Sequence, residues 1–163
     1  MIADASTNAV GPWLKAKYCF DDNQIRKYTF NLAPFLVDPK AIQEGYLSSE
    51  PYTVETQAHF KPQVFLLADN GYPGYANMVM VPQKWIDENP KAVQAFVDAT
   101  IEGWTQYLCG DASTANALIK KDNPEMTDAL IAQAIEKMRS YRIAGTSCTA
   151  DDKAMVGQMR IVS

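Results

Sequence analysis

Residues 64–81 read VFLLADNGYPGYANMVMV. Two apolar runs, Val64 to Ala68 and Met78 to Val81, flank a segment with two glycines, a proline and two tyrosines. A short continuous apolar run is the pattern of a strand covered on both faces. Gly71, Pro73 and Gly74 make the intervening DNGYPGY a turn or hinge. Two buried strands joined through a hinge predict an α/β architecture.

The sequence before residue 64 carries the same alternation. Met1-Ile2-Ala3 reads as a strand already under way, and Ser6, Thr7 and Asn8 offer helix-capping chemistry after it. Pro12 suits a first helical turn, and that helix stops near Tyr18. Tyr28 to Leu32 reads as a strand. Asp38-Pro39 opens a short helix closed by Gly45. Tyr46 to Ser48 is a further short strand, and Thr53 to Ala58 one or two helical turns.

Beyond residue 81 the pattern becomes helical. Asn89-Pro90 opens a long helix whose Val93, Phe96, Val97, Ile101, Trp104 and Leu108 form one apolar stripe, ended by Gly110. Trp85 and Trp104 are read as core packing. A short helix spans Thr114 to Lys120, Asn123-Pro124 breaks the chain, and Thr127 caps a helix with Leu130, Ile131, Ala134, Ile135 and Met138 inward. Residues 145–163 show no regular pattern. Strands alternating with helices in the first half predict a mainly parallel, doubly wound sheet.

Bulk composition narrows the function classes. The 163 residues are 47% hydrophobic and 21% charged, enough for a packed core. Formal net charge is −4 and the cations form no stripe, which disfavours nucleic acid and anionic membranes as partners. No apolar run reaches the ~18 residues of a membrane span, and MIADASTNAV has no basic or long apolar region of a signal peptide. Cys19, Cys109 and Cys148 are far apart with no CxxC pair, so they are read as free thiols. With His59 the only histidine, neither a metal site nor a cofactor is expected.

The chemistry-bearing residues favour binding over catalysis. His59 has no second histidine and no nucleophile motif beside it, and reads as a surface residue at a helix end. Glu50 and Glu55, separated across Pro51, make a weak carboxylate pair. Ser6, Thr7 and Asn8 either hold a polar ligand group at a helix start or simply cap the helix. GYLSSEPYTVE at 45–55 ends a strand on Ser49 and Glu50. The carboxyl edge of a sheet is where open α/β folds bind ligands, although a solvated turn explains the same residues. Tyr72, Tyr75 and Asn77 at the hinge supply stacking faces and polar groups, or else pack the turn.

PWLKAKY at 12–18, YTFNLAPFL at 28–36, GYLSSEPYTVE, FKPQVFLLAD, GYPGYANM, NPKAVQAFVDATIEGW and NALIKKDNPEMTD fall in one order. Over about residues 1–141 they resemble the solute-binding proteins of ABC importers, in the branch of pyrimidine-precursor (thiamine synthesis), nitrate, sulfonate and taurine binders. The resemblance implies a type II periplasmic-binding-protein-like α/β fold with ligand trapped between two lobes. It implies residues 1–70 as the second lobe, 71–145 as the hinge return and part of the first lobe, and 146–163 as an irregular tail, so that the chain corresponds to a piece of such a protein. The tail, Cys19 and Cys109 depart from the pattern. The implied partners are a small-molecule ligand and a membrane permease, and the implied location is periplasmic or extracytoplasmic. Ser6, Thr7, Asn8, Ser49, Glu50, Tyr72, Tyr75 and Asn77 are the expected ligand residues. A carboxylate with tyrosines favours a nitrogen heterocycle such as an aminopyrimidine. The alternatives are nitrate-, sulfonate- or taurine-type anions, a pyrimidine-synthesising enzyme of the same fold, whose cysteine-rich motif is absent here, and the sensor half of a transcription regulator.

Overall fold

The computed structural model describes residues 1–74, 77–144 and 148. The chain divides into two compact units, Met1–Met78 and Val79–Ser163.

The first unit holds four short helices: α1 (Asp4–Thr7), α2 (Val10–Tyr18), α3 (Ala33–Val37) and α4 (Glu50–Ala58). α2 ends on Cys19 in the left-handed region (φ 58°) and α4 on His59 (φ 57°), so the stop near Tyr18 and the exposed helix-end His59 stand as the sequence indicates. Residues 1–3 run between two extended segments. Ile2 N–H donates to Arg26 O and Ile2 O accepts from Tyr28 N–H, both at 2.9 Å, which makes one parallel bridge between Ile2 and Lys27. On the other side Met1 O accepts from Glu44 N–H at 2.8 Å and Met1 N donates to Ile42 O. Tyr28, Leu32 and Val54 form the buried cluster below, with Met1, Phe35 and Leu36 packed on it.

The expected doubly wound sheet does not form among the described residues. Among the described residues that isolated bridge is the only β pairing, and the architecture is helical, not a type II periplasmic-binding α/β fold. Extended backbone points its N–H and C=O groups sideways and needs a neighbour in register over several residues. Helices close those bonds within one segment. The run at 64–68 instead ends in a turn that begins at Leu67, with Phe65 75% exposed. The run at 78–81 forms no strand, and Met80 is 87% exposed. The strand expected at 28–32 is broken by Phe30 in the left-handed region (φ 61°). The strand expected at 46–48 is a turn, closed by Ser49 N–H on Tyr46 O at 2.9 Å.

Two helix expectations in this unit also shift. The helix expected from Asp38 to Gly45 does not form. Asp38 Oδ1 accepts from Lys40 N–H at 2.9 Å and Asp38 O from Ala41 N–H at 3.0 Å, a local turn, after which the Glu44 and Tyr46 amides bond to Met1 O and the Glu50 carboxylate instead of continuing a helix. The helix lies earlier, at α3, with Pro34 in its first turn. Ser6 and Thr7 lie inside α1 and Asn8 ends it, so none of the three caps the start of a helix.

The second unit carries α5 (Gln83–Glu88), α6 (Pro90–Cys109), α7 (Ser113–Asp122) and α8 (Asp128–Ser140); the last three lie near the positions the sequence gives, and α5 is a helix the sequence reading lacks. α8 packs against α6. Among the described residues of the unit, Val93 and Leu108 of α6 and Ile131 of α8 are the buried apolar residues, Leu108 completely. The Thr127 hydroxyl accepts from Leu130 N–H at 3.2 Å, a side-chain N-cap. The inward stripe is narrower than its sequence: Phe96 is 55%, Trp104 43% and Trp85 45% exposed, so neither tryptophan is core. Cys109 and Cys148 are joined in a disulfide with Cα atoms 5.4 Å apart, whereas Cys19 is a free, exposed thiol. Spacing alone does not disclose that pairing, because α7 and α8 fold the chain back between the two cysteines.

Candidate functional site

The polar residues of the first unit converge where residues 1–3 meet the segment 42–50. Glu44 is the centre of one half. Its Oε2 accepts from Ala3 N–H at 2.5 Å and its Oε1 from the Ser6 hydroxyl. Glu50, the first residue of α4, is the centre of the other half. Its Oε1 accepts from the Tyr28 hydroxyl at 3.1 Å and its Oε2 from Tyr46 N–H at 2.7 Å.

Gly45 makes this arrangement possible. A Cβ there would stand 2.6 Å from Glu50 Cβ and 2.9 Å from its Cγ. The Glu50 side chain therefore folds back over the backbone of its own approach segment, and only glycine leaves room for it. Tyr28 donates to Glu50 and lies within reach of the charge of Glu44. Burial, then the charge and hydrogen bond of Glu50, and then the charge of Glu44 push its hydroxyl up to about 12. It is therefore a proton donor at neutral pH. Both glutamates are partly buried, and each carboxylate oxygen retains a lone pair beyond the bond it already accepts.

Of the expected site residues, Ser6 belongs to this cluster directly, through Glu44. Thr7 turns its hydroxyl to Ala3 O at 3.1 Å, and Asn8 is exposed. Ser49 contributes its carbonyl, which accepts from Thr53 N–H at 3.1 Å, in the turn that sets the entry to α4. Tyr72 packs elsewhere: its ring meets Trp13 edge-on at 5.4 Å. Trp13 also meets Tyr18 at 5.4 Å, and the Lys17 ammonium lies 5.3 Å from the Trp13 ring centre. Asn77 is exposed, and Tyr75 lies outside the described residues. Among the described residues no hydrogen bond or ring contact joins Tyr72 to Glu50.

Glu44 and Tyr28 were missed by sequence reading. The sequence reading puts Glu44 in the helix expected over 38–45 and Tyr28 in the strand expected over 28–32. The available signal is Glu44 directly before Gly45 and Glu50 five residues after it. Surface depressions of about 290 and 430 Å³ lie along α8 and at the α5–α6 junction. Each is a shallow hollow lined by five consecutive or near-consecutive residues of one helical stretch, among them Glu136 and Arg139 in the first and Glu88 and Lys91 in the second. Among the described residues no group of His, Cys, Asp and Glu is placed to hold a metal ion, and no helix is long and apolar enough to cross a membrane.

Tyr28, Glu44 and Glu50 all lie inside a segment that a known family matches. The family model described as NMT1/THI5 like matches residues 17–112, more than half of the chain, and the chain belongs to that family. The family covers ABC periplasmic binding proteins, so the class is that of a solute-binding or related protein. No curated protein and no solved structure matches the chain.

Proposed function

We propose that this chain is part of an extracytoplasmic solute-binding component of an ABC importer and recognises a small nitrogen heterocycle of the aminopyrimidine type. Family membership supports the solute-binding class and a small-molecule ligand. The ligand class rests on one observation: two carboxylates of the 42–50 segment, Glu44 and Glu50, are each fixed by hydrogen bonds from within the chain, Glu44 by Ala3 and Ser6 and Glu50 by Tyr28 and Tyr46. Fixed acceptors of negative charge favour a cationic or N–H-donating ligand and repel nitrate, sulfonate or taurine-type anions. Tyr28 OH and Tyr46 N–H hold Glu50 in place, so the carboxylate meets a ligand without first being ordered.

The reading is one of binding without chemistry, with delivery to a membrane permease as its purpose. The Cys109–Cys148 disulfide suits an oxidising, extracytoplasmic compartment.

The test is calorimetric titration of the full chain with 4-aminopyrimidine, taurine and nitrate. Saturable binding of the aminopyrimidine, weakened about tenfold or more by Glu50→Gln (a charge-assisted hydrogen bond lost), is the expected result. Binding of taurine or nitrate in its place, or an aminopyrimidine affinity unchanged in Glu50→Gln, overturns the ligand class.

A further inference from the structure

We propose that the Cys109–Cys148 disulfide is a redox-sensitive clamp on the second unit, whose helices melt at a markedly lower temperature once it is reduced. This does not depend on the ligand reading. Cys109 is the last residue of α6 and Cys148 lies beyond the end of α8, at a sequence separation of 39. All of α7 and α8 therefore lies inside the loop that the bridge closes.

The other fasteners on that loop are slight. Among the described residues of the unit, Val93, Leu108 and Ile131 are the buried apolar side chains. The Lys120–Asp128 ion pair is 2.5 Å long, but the Asp128 side chain is 82% exposed, and such pairs contribute little in water. One hydrogen bond, from Tyr107 OH to Asn116 Oδ1 at 3.0 Å, ties α6 to α7. A small core of this kind depends on a covalent staple. The bridge acts beside Leu108, the most deeply buried side chain, so it pins the loop to the centre of the core.

Both cysteines are partly buried rather than sealed, so a small dithiol reaches them. Its thiolate attacks one sulfur and the S–S bond breaks through a mixed disulfide. Two electrons and two protons pass to the protein, leaving two cysteine thiols and an oxidised, cyclic reductant. An external protein or small-molecule disulfide reverses the step by taking up the same two electrons and two protons. Cys19, exposed in the other unit, serves as an internal reference thiol.

The experiment combines thiol counting with thermal melting of the full chain. Of the three cysteines, one titrates in the denatured, unreduced protein, none in Cys19→Ser, and all three after reduction. Dithiothreitol lowers the helical melting temperature of both the wild type and Cys19→Ser by about 10 °C or more. A Cys109→Ala/Cys148→Ala variant melts where the reduced wild type does and ignores dithiothreitol. If that variant does not fold, the reduced wild type decides alone. Three thiols before reduction, peptide mapping that puts Cys19 in the bridge, or a melting shift below about 2 °C overturns the proposal.

Discussion

The two units solve the backbone hydrogen-bonding problem in opposite ways. In Val79–Ser163, α6 and α8 close their own amide–carbonyl ladders and need the rest of the unit only to cover one stripe. In Met1–Met78, the extended stretches at 1–3, 26–28 and 42–46 bond across large sequence separations and recruit side chains where backbone partners give out. Glu44 takes the Ala3 amide and Glu50 the Tyr46 amide. The difference teaches that the acidic cluster is first a device for satisfying extended backbone. Its capacity to recognise a ligand comes from the same carboxylates having been fixed in place for that task.

That contrast is broken most severely in the helical unit. Leu108→Ala removes its fully buried side chain and is expected to cost about 3 kcal/mol. Chemical denaturation followed at the helical circular-dichroism band measures it. A loss under about 1 kcal/mol means that the α6–α8 core is not the unit's anchor. In the other unit, Gly45→Ala sets a methyl against Glu50 at 2.6 Å and is expected to destabilise by about 2 kcal/mol. If the alanine variant is as stable as the parent, Glu50 does not fold over residue 45.

Tyr28→Phe sharpens the comparison. It leaves the ring in the core and deprives Glu50 Oε1 of its donor, a loss of about 1–2 kcal/mol. The same residue sets an alkaline dependence. Its hydroxyl is raised from 10.0 to about 12 in the folded chain, so between these values the unfolded chain has lost the proton and the folded chain retains it. Stability is therefore whole below pH 10 and falls as pH rises towards about 12. Denaturation midpoints measured across that window should slope downward in the parent and less so in Tyr28→Phe; parallel slopes would exclude a buried Tyr28 hydroxyl. The smallest effect belongs to the cap of α8. Thr127→Ala removes the acceptor for Leu130 N–H and is expected to cost about 1 kcal/mol, read from the same denaturation curves.

What was legible in the sequence follows the same line. The long helix from Pro90, its stop near Gly110, the break at Asn123-Pro124 and the Thr127 cap are local events, and local chemistry identifies them. The strand assignments at 28–32, 46–48, 64–68 and 78–81 failed because an apolar run states a preference for extended backbone and says nothing about whether a partner edge is there. The candidate site was half legible. Glu50 and Ser6 were singled out by position, but for a sheet edge and a helix cap that do not form. Tyr72 was grouped with Glu50 on the strength of a hinge, and it packs on Trp13.

The sequence by itself determined the family, through residues 17–112, and the helices of the second unit, because capping residues and apolar spacing act within a few residues of one another. Only the tertiary structure decided that Tyr28 meets Glu50 and Ser6 meets Glu44, that Gly45 must be bare for Glu50 to fold back, and that Cys109 finds Cys148. Each of these joins residues whose meeting depends on the path of the chain between them, and no local pattern encodes that path.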